Sequence, residues 1–132
     1  MVTFDFDETL TRPIWDSKHR LIEPSENPNY DSFDRLRGFH QQGQEIRIVT
    51  TRWCNEEIVD FVEKYSLPIS EIHCTQGKLK GDTLLKLRPE LHFDDSEDEA
   101  INNKILGIKT IILSYHFDTE INNLVCQFKF FK

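Results

Sequence analysis

The chain has 132 residues, with 16 Lys and Arg against 23 Asp and Glu, so its formal net charge is −7 at pH 7. This length predicts one domain, residues 1–132, with a core that needs no disulfide or metal support. The acidic balance argues against broad nonspecific binding to nucleic acid or anionic lipid, and no apolar run approaches the roughly 18 residues that a membrane span needs.

The opening residues lack the basic and apolar regions of a secretory signal. The three cysteines, Cys54, Cys74 and Cys126, are odd in number and far apart in sequence. We therefore expect a soluble protein of the reducing cytoplasm that does not associate with a membrane.

In chain order, the sequence first predicts a short strand at residues 2–4. Residues 11–24 are polar and aromatic without a helical period, which indicates a flap that extends to about residue 26. Asn27 and Pro28 match an N-cap followed by a first-turn proline, so we expect a helix of about fourteen residues from there, ending before Gly43.

Strands and helices then alternate, which implies a mostly parallel sheet. Ser96 and Glu99 match a capping box at the start of one helix, and Asp82 is the expected cap of another. Residues 117–132 are ambiguous between helix and strand. The further strands are expected at residues 46–49, 69–74, 91–93 and 110–113, and a helix with apolar residues at i, i+3, i+4 and i+7 is expected at about 58–65.

Ligands bind beyond the carboxyl ends of the strands in an open parallel sheet. Each of the first four sheet strands is followed by polar or charged residues that could converge there. These residues are Asp5, Asp7 and Thr9 after the first strand, Thr50, Thr51 and Arg52 after the second, Lys78 and Lys80 after the third, and Asp94 and Asp95 after the fourth.

Residues two apart in an extended segment point the same way, so Asp5 and Asp7 would present paired carboxylates. Neighbouring like charges are unfavourable unless a cation or a proton lies between them. Asp94 and Asp95 add carboxylates at the same edge, and an all-oxygen set is what Mg²⁺ prefers. A carboxylate can also attack phosphorus and form an aspartyl-phosphate, with Thr50 and Lys80 binding the phosphoryl oxygens.

The four segments, in this order, resemble the four motifs of the haloacid dehalogenase (HAD) superfamily of phosphatases over residues 1 to about 107. The pattern DxDxT falls on Asp5, Asp7 and Thr9, which implies a nucleophile, a general acid/base and a loop-orienting hydroxyl. The second motif falls on Thr50 with Arg52 in a T-x-R form, the lysine on Lys80 with Lys78 as runner-up, and the acidic motif on Asp94 and Asp95.

The resemblance implies a Rossmann-like α/β domain with helices on both faces of the sheet. Family members often insert a cap domain, but the segments between the motifs of this sequence have no room for one. The resemblance also implies a Mg²⁺-dependent phosphomonoesterase with Asp5, Asp7, Asp94 and Asp95 as metal ligands. Thr9, Thr51, Arg52 and Lys78 are the further substrate-binding candidates. One departure is Glu8, where the family often has glycine, and Glu99 is left out of the metal set because of its expected capping role.

The substrate is open between a sugar phosphate, a phosphoprotein, a nucleotide and a nucleic-acid end. Basic residues near the expected mouth, with Trp15 and Trp53, favour a nucleotide or nucleic-acid phosphate end. The basic residues are Arg12, Lys18, Arg20, Arg52, Lys78 and Lys80. Without a cap, a large substrate or a second copy of the chain would have to exclude water from the site.

Two alternatives belong to other functional classes. A receiver-like signalling module shares the size and an Asp, Thr, Lys and Mg²⁺ set, but it places the acidic pair first and the phosphorylated Asp in mid-chain. An inactive domain of the same fold that binds a partner is the other alternative, and the presence of both Asp5 and Asp7 speaks against it.

Overall fold

The computed structural model describes the chain except residues 16, 17, 19, 20 and 55. Within the described ranges, no helix is long and apolar enough to cross a membrane. The elements are β1 (Val2–Phe4), β2 (Thr11–Trp15), β3 (Leu21–Pro28), α1 (Tyr30–Gln41), β4 (Ile46–Thr50), α2 (Glu56–Lys64), β5 (Glu71–Cys74), α3 (Gly81–Leu87), β6 (Leu91–Asp94), α4 (Glu97–Ile105), β7 (Thr110–Asp118) and β8 (Asn123–Phe130).

Six strands form one mostly parallel sheet in the order β5-β4-β1-β6-β7-β8, which confirms the predicted α/β class. The first strand of the chain lies in the middle, where Val2 pairs with Ile46 of β4 on one side and with Leu91 of β6 on the other. Only β8, at one edge, runs antiparallel to its neighbour β7. The ambiguity over residues 117–132 is thus resolved as the end of β7 and a long hairpin partner.

The predicted flap is a two-stranded antiparallel hairpin, β2–β3, rather than a loop. The predicted start of α1 is two residues early, because Asn27 pairs with Arg12 within that hairpin. Asn29 is the N-cap, and its side chain accepts a hydrogen bond from the Ser32 backbone N–H at 3.4 Å. The helix therefore has 12 residues, not about fourteen.

The expected cap at Asp82 is also wrong. Lys80 is the residue that precedes α3, and Asp82 lies in the first helical turn. A carboxylate there still interacts favourably with the positive end of the helix dipole.

One face of the sheet is aromatic and packs against α1 and α2. The rings of Phe4 and Phe93 stack on the adjacent strands β1 and β6, with centroids 4.4 Å apart. Phe39 of α1 packs edge-on against Phe93, and Phe33 of α1 meets Phe61 of α2. These fully or nearly buried rings form the centre of the apolar core.

The strand neighbours of Phe4 and Phe93 point to the other side of the sheet, because side chains alternate along a strand. Thr3 of β1, and His92 and Asp94 of β6, are buried there and are joined by hydrogen bonds. This polar row leads to the carboxyl ends of β1 and β6, so the sheet itself carries polar groups toward one edge.

A disulfide joins Cys54, just after β4, to Cys74 at the end of β5. The two cysteines are 20 residues apart in sequence, but β4 and β5 are parallel neighbours in which Thr50 lies opposite Cys74. Disulfides are typical of oxidising compartments. The bond therefore counts against the expected reducing cytoplasm, which stays a prediction.

Gly81 marks the close approach of α3 to α4. A Cβ at Gly81 would lie 2.6 Å from both Asn102 Nδ2 and Leu106 Cδ1, whereas a Cβ at Gly38 in α1 would meet nothing within 4 Å. Both atoms are the ends of flexible side chains that can move aside, so we expect Gly81→Ala to change the free energy of unfolding by less than about 1 kcal/mol, with the packing cost offsetting the gain in helix propensity. Gly38→Ala should raise it by about 0.5–1 kcal/mol, because alanine is the better helix former. Denaturant unfolding measures both, and equal effects of the two substitutions would contradict the packing assigned to Gly81.

Candidate functional site

A cleft of about 700 Å³ opens at the carboxyl ends of β1, β4 and β6. The strand order reverses at β1, because β4 and β5 lie on one side of it and β6, β7 and β8 lie on the other. Ligands bind at such a point in open α/β sheets. Seven of the eleven lining residues are acidic and two, Arg52 and Lys80, are basic. The acidic residues are Asp5, Asp7, Glu8, Glu57, Asp94, Asp95 and Glu99.

Lys80 lies at the bottom of this cleft, and its side chain is only 2% exposed. Its Nζ is 2.8 Å from Asp5 Oδ1 and 2.5 Å from Asp94 Oδ2. The lysine is held from its backbone as well, because its N–H donates to Glu99 Oε2 at 3.0 Å. Of the two candidate lysines, the structure brings Lys80 to the site, while Lys78 is exposed and does not line the cleft.

The charges around Lys80 shift the pKa of each partner. Burial opposes the ammonium, but the carboxylates of Asp5 and Asp94 outweigh burial and raise the pKa of Lys80. Burial likewise opposes ionisation of Asp94, but Lys80 and His92 outweigh it and lower the pKa of Asp94. For Asp5, burial and the charge of Asp94 dominate, and its pKa is raised. Asp94 is thus the ionised partner that fixes the ammonium.

Asp95 brings a third carboxylate to the same place. One oxygen each of Asp5, Asp94 and Asp95 lie within 4.8 Å of one another. Burial and the neighbouring charges of Asp5 and Asp94 raise the pKa of Asp95 to about 10. Three carboxylates around one ammonium carry an excess of negative charge that a proton or a divalent cation would relieve. These three residues are therefore the ones that could hold a metal ion.

The Asp7 carboxylate, expected beside Asp5, is not in this cluster. Its two oxygens accept hydrogen bonds from Arg52, from Nε at 2.7 Å and from Nη2 at 2.6 Å. Arg52 Nη1 also lies 3.3 Å from Glu57 Oε2. Asp5 and Asp7 both line the cleft, but Asp7 is paired with Arg52 rather than with the other carboxylates. The chain turns after Asp5, where the Leu10 N–H donates to the Phe6 carbonyl oxygen.

The three candidate threonines have different positions. Thr9 is buried and its Oγ1 donates to Asp5 Oδ2 at 3.2 Å, so it orients Asp5 and does not line the cleft. Thr50 is also buried, and its Oγ1 accepts the Arg52 backbone N–H at 3.2 Å. Thr51 is exposed and lines the cleft. Of these three, Thr51 is the hydroxyl open to a ligand.

His92 and Glu99 have roles that the sequence analysis did not assign. One ring nitrogen of His92 lies 2.8 Å from Asp94 Oδ2, and the other lies 2.8 Å from Thr3 Oγ1. His92 and Asp94 are two residues apart in a strand, and this spacing is the sequence signal that predicts both side chains on one face of the sheet. Glu99 does not complete a capping box, since its carboxylate accepts from the Lys80 N–H. Only the Ser96 half is confirmed, with the Glu99 N–H donating to Ser96 Oγ at 3.3 Å.

The loop after β1 is held from behind by Tyr115 of β7. The Tyr115 hydroxyl donates to the Glu8 carbonyl oxygen and accepts from Asn29 Nδ2 at 3.1 Å. Glu8 adopts a left-handed backbone with φ of 60°. Glycine adopts that conformation at no steric cost, which explains why a glycine suits this position.

Comparison of the chain with protein-family models and with curated proteins finds no match.

Lys80→Met tests the charge balance of the cluster. Without the ammonium, Asp5 and Asp94 lose the cation that they share, so we expect the free energy of unfolding to fall by about 3–5 kcal/mol near neutral pH. The carboxyl groups of the folded variant should then have raised pKa values, so the folded state binds more protons than the unfolded state. The free energy of unfolding of the variant therefore falls as the pH rises. The deficit relative to wild type should thus be larger at about pH 8 than at about pH 5.

Denaturant unfolding in the presence of a chelator, at both pH values, measures this deficit. Lys78→Met is the matched control, because Lys78 is exposed outside the cleft and its loss should change stability by less than about 0.5 kcal/mol. A Lys80→Met protein as stable as this control would contradict the buried ion pairs.

Proposed function

We propose that the protein is a Mg²⁺-dependent phosphomonoesterase of the HAD type that acts through an aspartyl-phosphate on Asp5. The observation that carries the proposal is the cluster itself: the carboxylates of Asp5, Asp94 and Asp95 meet within 4.8 Å, with the Lys80 ammonium between Asp5 and Asp94. An arrangement of this kind, open to a cleft, can hold a cation and a phosphate together.

The topology of the sheet supports a Rossmann-like fold. When the six strands of this sheet are numbered in chain order, their order across the sheet is 3-2-1-4-5-6, and only the sixth is antiparallel to its neighbour. The α1 and α2 helices pack on the aromatic face, while α4, through Glu99, reaches the polar side that carries Asp94. Helices on both faces and a cleft without a separate cap domain fit the small capless type.

The described residues fit a resident divalent cation. Asp5, Asp94 and Asp95 would hold it, whereas the Asp7 carboxylate, bound to Arg52, would not. A bound Mg²⁺ neutralises charge on the phosphoryl group and orients it for attack. The remaining roles fall to side chains of the chain.

In the proposed first half-reaction, an Asp5 carboxylate oxygen attacks phosphorus. The bond between phosphorus and the ester oxygen breaks with its electron pair going to that oxygen, which takes a proton from Asp7. Thr9 and Lys80 hold the two oxygens of Asp5 and fix its orientation for this attack. Asp7 has to part from Arg52 to serve as the acid, and the guanidinium is then available to the phosphoryl oxygens.

In the second half-reaction, water attacks the same phosphorus and gives a proton to Asp7. The bond between phosphorus and Asp5 breaks, inorganic phosphate leaves and both carboxyl groups return to their starting states. Thr51 at the cleft wall is placed to donate a hydrogen bond to the phosphoryl group. A substrate or a second copy of the chain would cover the open cleft during these steps.

Hydrolysis of 4-nitrophenyl phosphate tests the reaction class. We expect multiple turnovers with Mg²⁺, loss of activity in EDTA and recovery when Mg²⁺ is added in excess. Full activity in the chelator would contradict the metal-dependent mechanism. Release of no more than one equivalent of product would instead favour the receiver-like alternative, and no reaction at all would favour a binding domain without catalysis.

Asp5→Asn tests the nucleophile. The substitution keeps the shape of the side chain and leaves Lys80 paired with Asp94, so we expect a folded protein whose kcat falls at least about 10³-fold. Circular dichroism and thermal unfolding establish that the variant is folded. Asp34→Asn, at an exposed position of α1, is the matched control and should retain wild-type kcat. Substantial turnover by Asp5→Asn would rule out Asp5 as the nucleophile.

A further inference from the structure

The charges of the cleft bear on the substrate, an inference that rests on the phosphatase function proposed above. Among the described lining residues, seven carboxylate side chains face two cationic ones. Even with one divalent cation bound, the lining keeps a net negative charge. A phosphate can enter such a site through the metal ion, but a second anionic group finds no comparable partner.

Both cations of the lining are already engaged by carboxylates. Lys80 is buried between Asp5 and Asp94, with Nζ to oxygen distances of 2.8 and 2.5 Å. Arg52 is bound by both oxygens of Asp7 and lies beside Glu57. If Arg52 turns to the transferring phosphate, Glu57 loses its counter-charge, and the cleft wall beside the leaving group becomes more negative.

The basic rim expected from the sequence is not formed by the residues that the structure describes. The Arg12 guanidinium donates to the Leu124 carbonyl oxygen and lines a separate cavity beside β8. Lys78 and Lys18 are exposed but do not line the cleft, and Arg20 lies outside the described residues. Of the six basic residues expected at the mouth, Arg52 and Lys80 are the ones that line the cleft in the described part of the chain. Most of the positive charge expected to favour a polyanionic substrate is therefore absent from its lining.

The leaving group must lie beside Asp7, because Asp7 supplies its proton. The cleft wall carries Glu57, from the first turn of α2, beside the Arg52 that binds Asp7, whereas Glu8 is hydrogen-bonded to Asp95. The Glu57 side chain is 65% exposed, so it faces the solvent side of the cleft where the non-phosphate part of a substrate would extend. This part of the wall attracts a cation and repels an anion.

We propose that the site selects phosphate monoesters whose leaving group is neutral or carries an ammonium group, and discriminates against those with a second anionic group close to the phosphate. Nucleotides and nucleic-acid ends, predicted from the sequence, belong to the second set. An anionic group held about 5–6 Å from Glu57 in a partly wet cleft should lower kcat/KM several-fold relative to a neutral group.

Three aryl phosphates that differ only at the para position test this selectivity: 4-(aminomethyl)phenyl, 4-methylphenyl and 4-(carboxymethyl)phenyl phosphate. The methylene group keeps the phenol leaving groups chemically similar, so kcat/KM reports the remote charge. We expect the ammonium ester to exceed the carboxylate ester by at least about 10-fold at low salt, with the methyl ester between them. The difference should shrink at about 0.5 M salt, because screening weakens exposed charges.

Glu57→Gln should reduce the ratio between the ammonium and carboxylate esters several-fold. Glu63→Gln is the matched control, since Glu63 is exposed on the same helix outside the cleft and should leave both the ratio and the activity unchanged. A 3′-phosphorylated oligonucleotide is assayed alongside as the polyanionic competitor. Equal values for the three esters, or a preference for the carboxylate ester or the oligonucleotide, would overturn the inference and leave the phosphatase intact. No hydrolysis of any substrate would overturn the proposed function, and the inference with it.

Discussion

The ammonium of Lys80 is the interaction on which the arrangement of the cleft depends. Lys80 directly precedes α3, and its ammonium contacts Asp5, after β1, and Asp94, at the end of β6. The side chain thus joins three segments that are distant in sequence. A lysine buried to this extent is tolerated only with carboxylate partners, and those carboxylates are tolerated only with a cation between them. The ammonium and the two carboxylates thus stabilise one another, and their positions are fixed together.

The sheet makes this mutual requirement possible by separating apolar from polar side chains. Phe4 and Phe93 face the helices of one side, while Thr3, His92 and Asp94 form a hydrogen-bonded row on the other. The row is satisfied along its length, which is the condition for burying polar groups without a large cost. His92 connects the interior of the row to the carboxylate at its end.

Much of the fold and part of the site could be predicted from the sequence. Strand positions followed from short β-rich runs, and the convergence of Asp5, Lys80 and Asp94 followed from their places after strands of a parallel sheet. The pairing of Asp7 with Arg52 could not be predicted, because residues 6–10 turn and the contact joins positions 45 residues apart. Glu8, with its left-handed backbone, lies in the same turn.

Other features depend on contacts that local pattern does not specify. Glu99 has the right spacing for a capping box, yet its carboxylate binds the backbone of Lys80, a partner 19 residues away. Distance along the chain gave no sign that Cys54 and Cys74 meet, since that proximity comes from the pairing of β4 with β5. Residues 117–132 have no clear period, and their strand structure comes from pairing with β7.

The central position of β1 also determines the order in which the protein can assemble during synthesis. Residues 2–4 are made before the other strands of the sheet, but their partners in β6 are residues 91–93, so Val2 waits for Leu91, 89 positions later. At roughly 5–20 residues per second, translation takes on the order of 4–18 s to cover that interval. During this time the apolar side chains of β1 and the acidic residues behind them have no complete sheet to join. The middle of the sheet, although it is made first, is therefore among the last parts to be finished.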